Sequence, residues 1–227
     1  MKKKKKNKKR KLRVFRVIKT FFVLFLVLLV IYLITLIPTR GYYVTNNNYY
    51  SDDEILDILK LNNKSSFLLT SQSSINSKVK KNEILKKVKL HKKLYLEFEL
   101  EVLENKIMFY DLKNNKSVLE DGTKVNIKNE NYIVLTNEIK DKNIYKKLAK
   151  KMLKIDDDIL DIISEIKYDP NEVDNERFLF SMNDGNYVYI TLSKIKKINS
   201  YEKIVESIKD QKGILYLDYG NYFVPKE

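Results

Sequence analysis

The chain has 227 residues, no cysteine, no tryptophan and a formal net charge of +14. Without cysteine it can form neither a disulfide scaffold nor a thiolate metal site, and it has no thiol nucleophile. The charge is uneven: residues 1–19 hold twelve Lys/Arg and no acid, while the remaining 32 basic residues face 30 acids, so the rest of the chain is near +2 and is no basic nucleic-acid surface.

Phe21 to Ile37 reads FFVLFLVLLVIYLITLI, seventeen residues without a charge. At about 1.5 Å per residue, a helix from Thr20 to Pro38 spans roughly 28 Å, close to the hydrocarbon thickness of a bilayer. Lys19 can snorkel at one end, and Pro38 and Gly41 are the expected stop at the other. A cleaved signal peptide would have a shorter apolar core and a small-x-small site, whereas Ile37-Pro38-Thr39-Arg40 follows here. An uncleaved anchor is therefore expected, with the N-terminus in the cytoplasm and the rest outside. In this reading Lys11, Arg13, Arg16 and Lys19 set topology and rest on anionic lipid. No aromatic residue interrupts the run before Phe15, so a nucleic-acid arm would lack a stacking platform.

Beyond the span, Tyr42-Tyr43-Val44 is a strand candidate and Asn46-Asn47-Asn48 a turn. Ser51 and Glu54 form a capping-box pattern that opens a helix to about Leu61. A weaker helix carries Ile75 and Val79 and ends near Lys81. Ile84 to Leu90 and Leu94 to Val102 read as a hairpin turning at His91-Lys92-Lys93. In its second arm Leu94, Leu96, Phe98, Leu100 and Val102 alternate with Tyr95, Glu97, Glu99 and Glu101. The glutamate row is expected to face Lys87 and Lys89.

The next stretch opens with a strand at Ile107 to Leu112, a turn at Asn114-Asn115 and a hairpin dipeptide at Asp121-Gly122. Asn143 to Leu153 is an amphipathic helix, and Ile159 to Ile163 a short one. Strands follow at Ile166 to Tyr168, Arg177 to Met182 and Tyr187 to Leu192, the last two flanking an Asn183-Asp184-Gly185-Asn186 turn. Ser200 caps a helix that Gly213 is expected to stop, and Ile214 to Asp218 is the last predicted strand.

These residues resemble the FtsQ/DivIB family of bacterial cell-division proteins. Val44 with Asn46-Asn47 resembles the family's Val-x-Gly-Asn entry turn, and Ser51-Asp52-Asp53-Glu54-Ile55 its Ser-x-x-Glu-Ile helix start. Val102-Leu103-Glu104 resembles the Val-x-Glu that closes the last strand of the POTRA domain, and Leu119-Glu120-Asp121-Gly122 the turn after it. Two departures concern turns: Asn47 stands where glycine is usual, and Lys81-Asn82 replaces a proline before the second strand. The resemblance implies an α+β protein in four parts. These are a basic cytoplasmic tail (1–19), a transmembrane signal anchor (20–38), a β-α-α-β-β POTRA domain (39–104) and a second mixed domain with a terminal edge strand (105–227).

The residues offer no constellation for catalysis. His91 is the single histidine and lies between Leu90 and two lysines. Asp156-Asp157-Asp158 cannot all face one cation and better complement a helix N-terminus, and no glycine-rich phosphate loop occurs. No cofactor, metal or small-molecule substrate is expected, and the work is binding. Ile214 to Tyr219 reads as a terminal edge strand open to a partner's strand, with Tyr216, Tyr219, Tyr222 and Phe223 as candidate anchors. The resemblance implies that this end docks the partners of the FtsB/DivIC and FtsL type, in a non-enzymatic scaffold enriched at the septum. Tyr219 falls at the family's aromatic position, but Tyr216 and Asp218 replace its Asp and Arg, so those polar contacts do not carry over. The alternatives are a POTRA-type export anchor that binds polypeptides and a membrane-anchored cell-wall enzyme.

Overall fold

The computed structural model describes residues 2–127, 132–208 and 211–226, with side chains from residue 14 onward. The chain divides into two compact units, Met1–Glu104 and Asn105–Glu227.

The first unit opens with α1 (Lys2–Thr35), which runs unbroken through the basic segment. From Val14 to Thr35 the helix is long and apolar enough to cross a membrane, and none of that stretch is buried. A core helix of a soluble protein would be covered, so the exposure favours an anchor. The helix ends at Thr35 rather than at Pro38. The ring of Pro38 disfavours helical geometry at Ile37, and Ser66 and Phe67 take up the carbonyls of Thr35 and Ile37.

The folded part of this unit is β1 (Gly41–Thr45), α2 (Asp52–Ile58), α3 (Gln72–Val79), β2 (Leu85–Lys92) and β3 (Glu97–Glu104). The sheet order is β1-β3-β2, with β1 parallel and β2 antiparallel to β3. This is the expected β-α-α-β-β layout. The capping box is formed: the Ser51 hydroxyl accepts from Glu54 N–H while the Glu54 carboxylate accepts from Ser51 N–H at 2.8 Å. The core joins Ile55, Leu59, Ile75 and Val79 of the helices to Val88, Leu100 and Val102 of the sheet.

The hairpin turn lies further along than its sequence indicates. His91 and Lys92 belong to β2, paired with Glu99 and Phe98, and the chain reverses at Leu94-Tyr95-Leu96. Leu94 and Leu96 are thus outside the buried row that Phe98, Leu100 and Val102 complete. The glutamate row pairs with Lys89 and Lys93 rather than with Lys87, whose strand partner is Leu103.

The two departures from the family's turns are met by side chains. The left-handed position of the entry turn falls at Asn46 (φ 65°), a conformation asparagine tolerates, and not at Asn47, whose side-chain amide instead donates to Tyr50 O. Asn82 accepts from the N–H groups of Ile84 and Leu85, doing by hydrogen bonding what a proline would do by its ring.

The second unit contains β4 (Ile107–Asp111), β5 (Lys116–Leu119), β6 (Lys124–Val125), β7 (Val134–Leu135), α4 (Lys142–Met152), α5 (Asp157–Asp161), β8 (Ile163–Tyr168), β9 (Arg177–Met182), β10 (Tyr187–Thr191), α6 (Tyr201–Ser207), β11 (Gly213–Tyr216) and β12 (Tyr222–Pro225). A 3₁₀ segment, Leu192–Ser200, leads into α6, and the Ser200 side chain makes no capping hydrogen bond. Nine strands form one sheet in the order β12-β11-β10-β9-β8-β7-β4-β5-β6. One face carries Phe178, Phe180, Val188, Ile190 and Leu215, packed in a core with Leu148 and Met152 of α4. Two findings revise the sequence reading of this end. Gly213 begins β11 rather than stopping a helix, and β12 pairs antiparallel along β11, so the edge strand is β12.

Candidate functional site: the terminal edge of the second sheet

Alternation along the strands puts Leu179, Tyr189, Tyr216 and Tyr222 on the face opposite the core, in one cross-strand row. Ser181, Tyr187, Ile214 and Val224 form the next row. The tyrosine rings stack: Tyr189 and Tyr216 have centroids 5.3 Å apart, and Tyr216 and Tyr222 are 4.6 Å apart at 11°. The Arg177 guanidinium lies 3.5 Å from the Tyr189 centroid and closes the stack at its inner end.

Arg177 is held from two sides. Its Nε donates to Asp218 Oδ2 at 2.7 Å and its Nη1 to Asp169 Oδ2 at 3.0 Å. Burial works against its charge, but the bond to the Asp218 carboxylate wins and raises its pKa further above the usual value. Burial, with the nearby Asp169 carboxylate, raises the Tyr189 hydroxyl. The ladder is therefore a stack of tyrosine rings that ends on the Arg177 guanidinium. The sequence reading missed Arg177, because its partner Asp218 is 41 residues away.

The four candidate anchors fall in three different settings. Tyr216 and Tyr222 belong to the outer ladder. Tyr219 projects from the loop between β11 and β12 and is 86% exposed. Phe223 stands opposite Leu215 and packs on the core from the inner face. Of the topology residues, Arg16 and Lys19 are exposed on α1, while the side chains of Lys11 and Arg13 lie outside the described set.

Two devices place the edge. Asn186 Oδ1 accepts from Gly213 N–H at 2.8 Å, so the turn between β9 and β10 fixes the start of β11. A Cβ at Gly213 would stand 2.2 Å from Val224 O, so only glycine lets β12 lie this close. Because Lys226 N–H donates to Lys212 O, the alternating pattern makes Ile214/Val224 and Tyr216/Tyr222 the hydrogen-bonded pairs. Phe223 N–H then points outward, and Pro225, which has no N–H to leave unpaired, occupies the other outward position.

Among the described residues no group of three His, Cys, Asp or Glu is placed to hold a metal ion. His91 Nε2 lies 3.5 Å from Glu101 Oε2 on the exposed face of β2. Asp156 precedes α5 as its N-cap residue, with Asp157 and Asp158 in the first turn where they complement the helix dipole.

A family model described as "POTRA domain, FtsQ-type" matches residues 43–105, which run from the middle of β1 through α2, α3 and β2 to just past the end of β3. The chain is 26% identical over 194 residues to the cell division protein DivIB of Bacillus subtilis, covering 79% of this chain and 71% of that one. The chain thus carries an FtsQ-type POTRA domain and is similar over most of its length to DivIB cell-division proteins. DivIB of Listeria monocytogenes is 27% identical over 161 residues, covering 67% of this chain and 60% of the relative. A solved extracytoplasmic domain of DivIB from Geobacillus stearothermophilus covers 47% of this chain and 96% of its own at 21% identity, with a TM-score of 0.39, a likeness too weak to bear on the fold. Its similarity to DivIB relatives supports a division-related role for this chain.

Proposed function

We propose that this chain is a non-enzymatic bitopic scaffold of the division machinery. The basic tail (1–19) stays in the cytoplasm, a span (20–38) anchors it, and the POTRA (39–104) and terminal (105–227) domains stand outside the membrane at the septum. Lys11, Arg13, Arg16 and Lys19 hold the tail to anionic lipid. The twelve basic residues ahead of an unburied apolar helix support this orientation, since positive charge is retained on the cytoplasmic side.

The terminal edge binds partners of the DivIC/FtsB and FtsL type. The observation that carries this reading is the ladder of Tyr189, Tyr216 and Tyr222 reaching an uncovered edge strand, with Tyr219 exposed beside it. Stacked tyrosines give a partner large contact area at small entropic cost. The edge itself offers few backbone groups, because Pro225 takes one of its outward positions, so side chains supply most of the recognition.

Co-purification of the full chain with the membrane partner pair tests the site. Tyr222→Lys and Tyr219→Lys should lower partner recovery about tenfold or more, the range of a hot-spot residue. Phe223→Lys is unsuitable, since that ring packs on the core. Undiminished recovery with both folded variants would remove the terminal edge from the reading.

A further inference from the structure

The C-terminal end of α1 is clamped to the base of the first unit. Ser66 Oγ donates to the carbonyl of Thr35, the last helical residue, and Phe67 N–H donates to Ile37 O at 3.0 Å. Thr39 N–H donates to Ser65 O, while Arg40 N–H and Thr39 Oγ1 both reach Leu96 O at 2.9 Å. Two loops, 65–70 and 93–96, are thus held at the level where the apolar run ends.

Both loops present apolar side chains to the outside. Leu69 is 65% exposed and Leu68 about half, while Leu94 and Tyr95 are 80% and 77% exposed. Tyr95 and Leu96 are both left-handed (φ 63° and 65°), a conformation that large side chains rarely adopt, and it turns Leu94 and Tyr95 out of the sheet. Lys92 sits between the loops, its Nζ donating to the carbonyls of Phe67 and Leu68 and lying 5.1 Å from the Phe67 ring centroid. Leucines with a tyrosine beside them and lysine at the rim match the chemistry of the boundary between acyl chains and headgroups.

We infer that loops 65–70 and 93–96 dock into the outer boundary of the same bilayer that α1 crosses, with Leu68, Leu69, Leu94 and Tyr95 as the inserted residues. The occupant is lipid because the clamp brings these side chains to the end of the span whenever the span is in a membrane. Docking at two loops fixes the tilt of the first unit instead of leaving it on a free tether. The inference rests on α1 being a membrane span, and the test separates the two.

The chain has no tryptophan, so one indole at a time can be introduced. Full-length Leu69→Trp, Tyr95→Trp, Lys81→Trp and Val27→Trp variants are placed in phosphatidylcholine–phosphatidylglycerol vesicles with or without brominated acyl chains. Lys81 is exposed near the opposite end of β2, and Val27 lies mid-span. Fluorescence should fall about twofold or more in brominated lipid for Leu69→Trp, Tyr95→Trp and Val27→Trp, and stay unchanged for Lys81→Trp. Unquenched Leu69→Trp and Tyr95→Trp beside quenched Val27→Trp would overturn the docking while leaving the span intact. An unquenched Val27→Trp would overturn the span, and the docking with it.

Discussion

Glu104 shows how a single residue organises the first unit. Its buried carboxylate accepts from the N–H groups of Asn48 and Tyr49 at 2.8 and 2.9 Å and of Tyr50 at 3.3 Å, tying the end of β3 to the turn that enters α2. The sequence presents this glutamate only as a motif, because its partners are more than fifty residues away. Glu104→Ala leaves those N–H groups without an acceptor and should destabilise the unit by about 2–3 kcal/mol, read as a lower urea midpoint with an unchanged slope. Asp111 plays a comparable part in the second unit. Burial alone would raise its pKa, but the hydroxyl of Tyr145 at 2.7 Å, Asn114 and Lys124 hold it below the usual value. A depressed folded-state pKa means that the unfolded chain binds the proton more readily. The stabilisation is complete above the unfolded value of about 4 and is lost as pH falls through the folded one. Acid titration of stability should therefore be flatter for Asp111→Asn than for the wild type below about pH 4, and parallel curves would contradict this role.

At the scale of elements, local chemistry was readable and long-range pairing was not. The Ser51 capping box, the Asp121-Gly122 turn and the Asn183-Asp184-Gly185-Asn186 turn act within a few residues, and all three form as their sequences suggest. Gly122 at φ 87° and Gly185 at φ 90° occupy the left-handed positions that these turns require. The hairpin between β2 and β3 was displaced because Leu94 and Leu96 fit the alternating pattern, yet the backbone reverses through them. Pattern reports which face is apolar; it does not report where a strand ends. The edge was misassigned for a related reason: Ile214 to Asp218 reads as a last strand, and nothing local tells that Tyr222 to Pro225 will return beside it. Gly213 is the residue that permits this return. Gly213→Ala should detach β12 while the rest of the sheet persists, seen as faster amide hydrogen exchange confined to residues around 213–226. Protection equal to the wild type there would show that β12 tolerates the methyl group.

At the scale of the whole molecule, a basic segment and one apolar helix long enough to cross a membrane precede the first sheet, and the chain divides into two compact units. The candidate site was half legible. Tyr216 and Tyr222 stack on the outer face, whereas Phe223 turns to the core and Arg177, which ends the stack, was invisible without the fold. Similarity to DivIB proteins supports a division-related setting for this arrangement, and the proposed scaffold makes one demand that does not depend on which partner is bound. A fluorescent fusion to the full chain, imaged in dividing cells, should concentrate at midcell as the septum forms. Uniform labelling of the membrane at every stage of division would contradict the account.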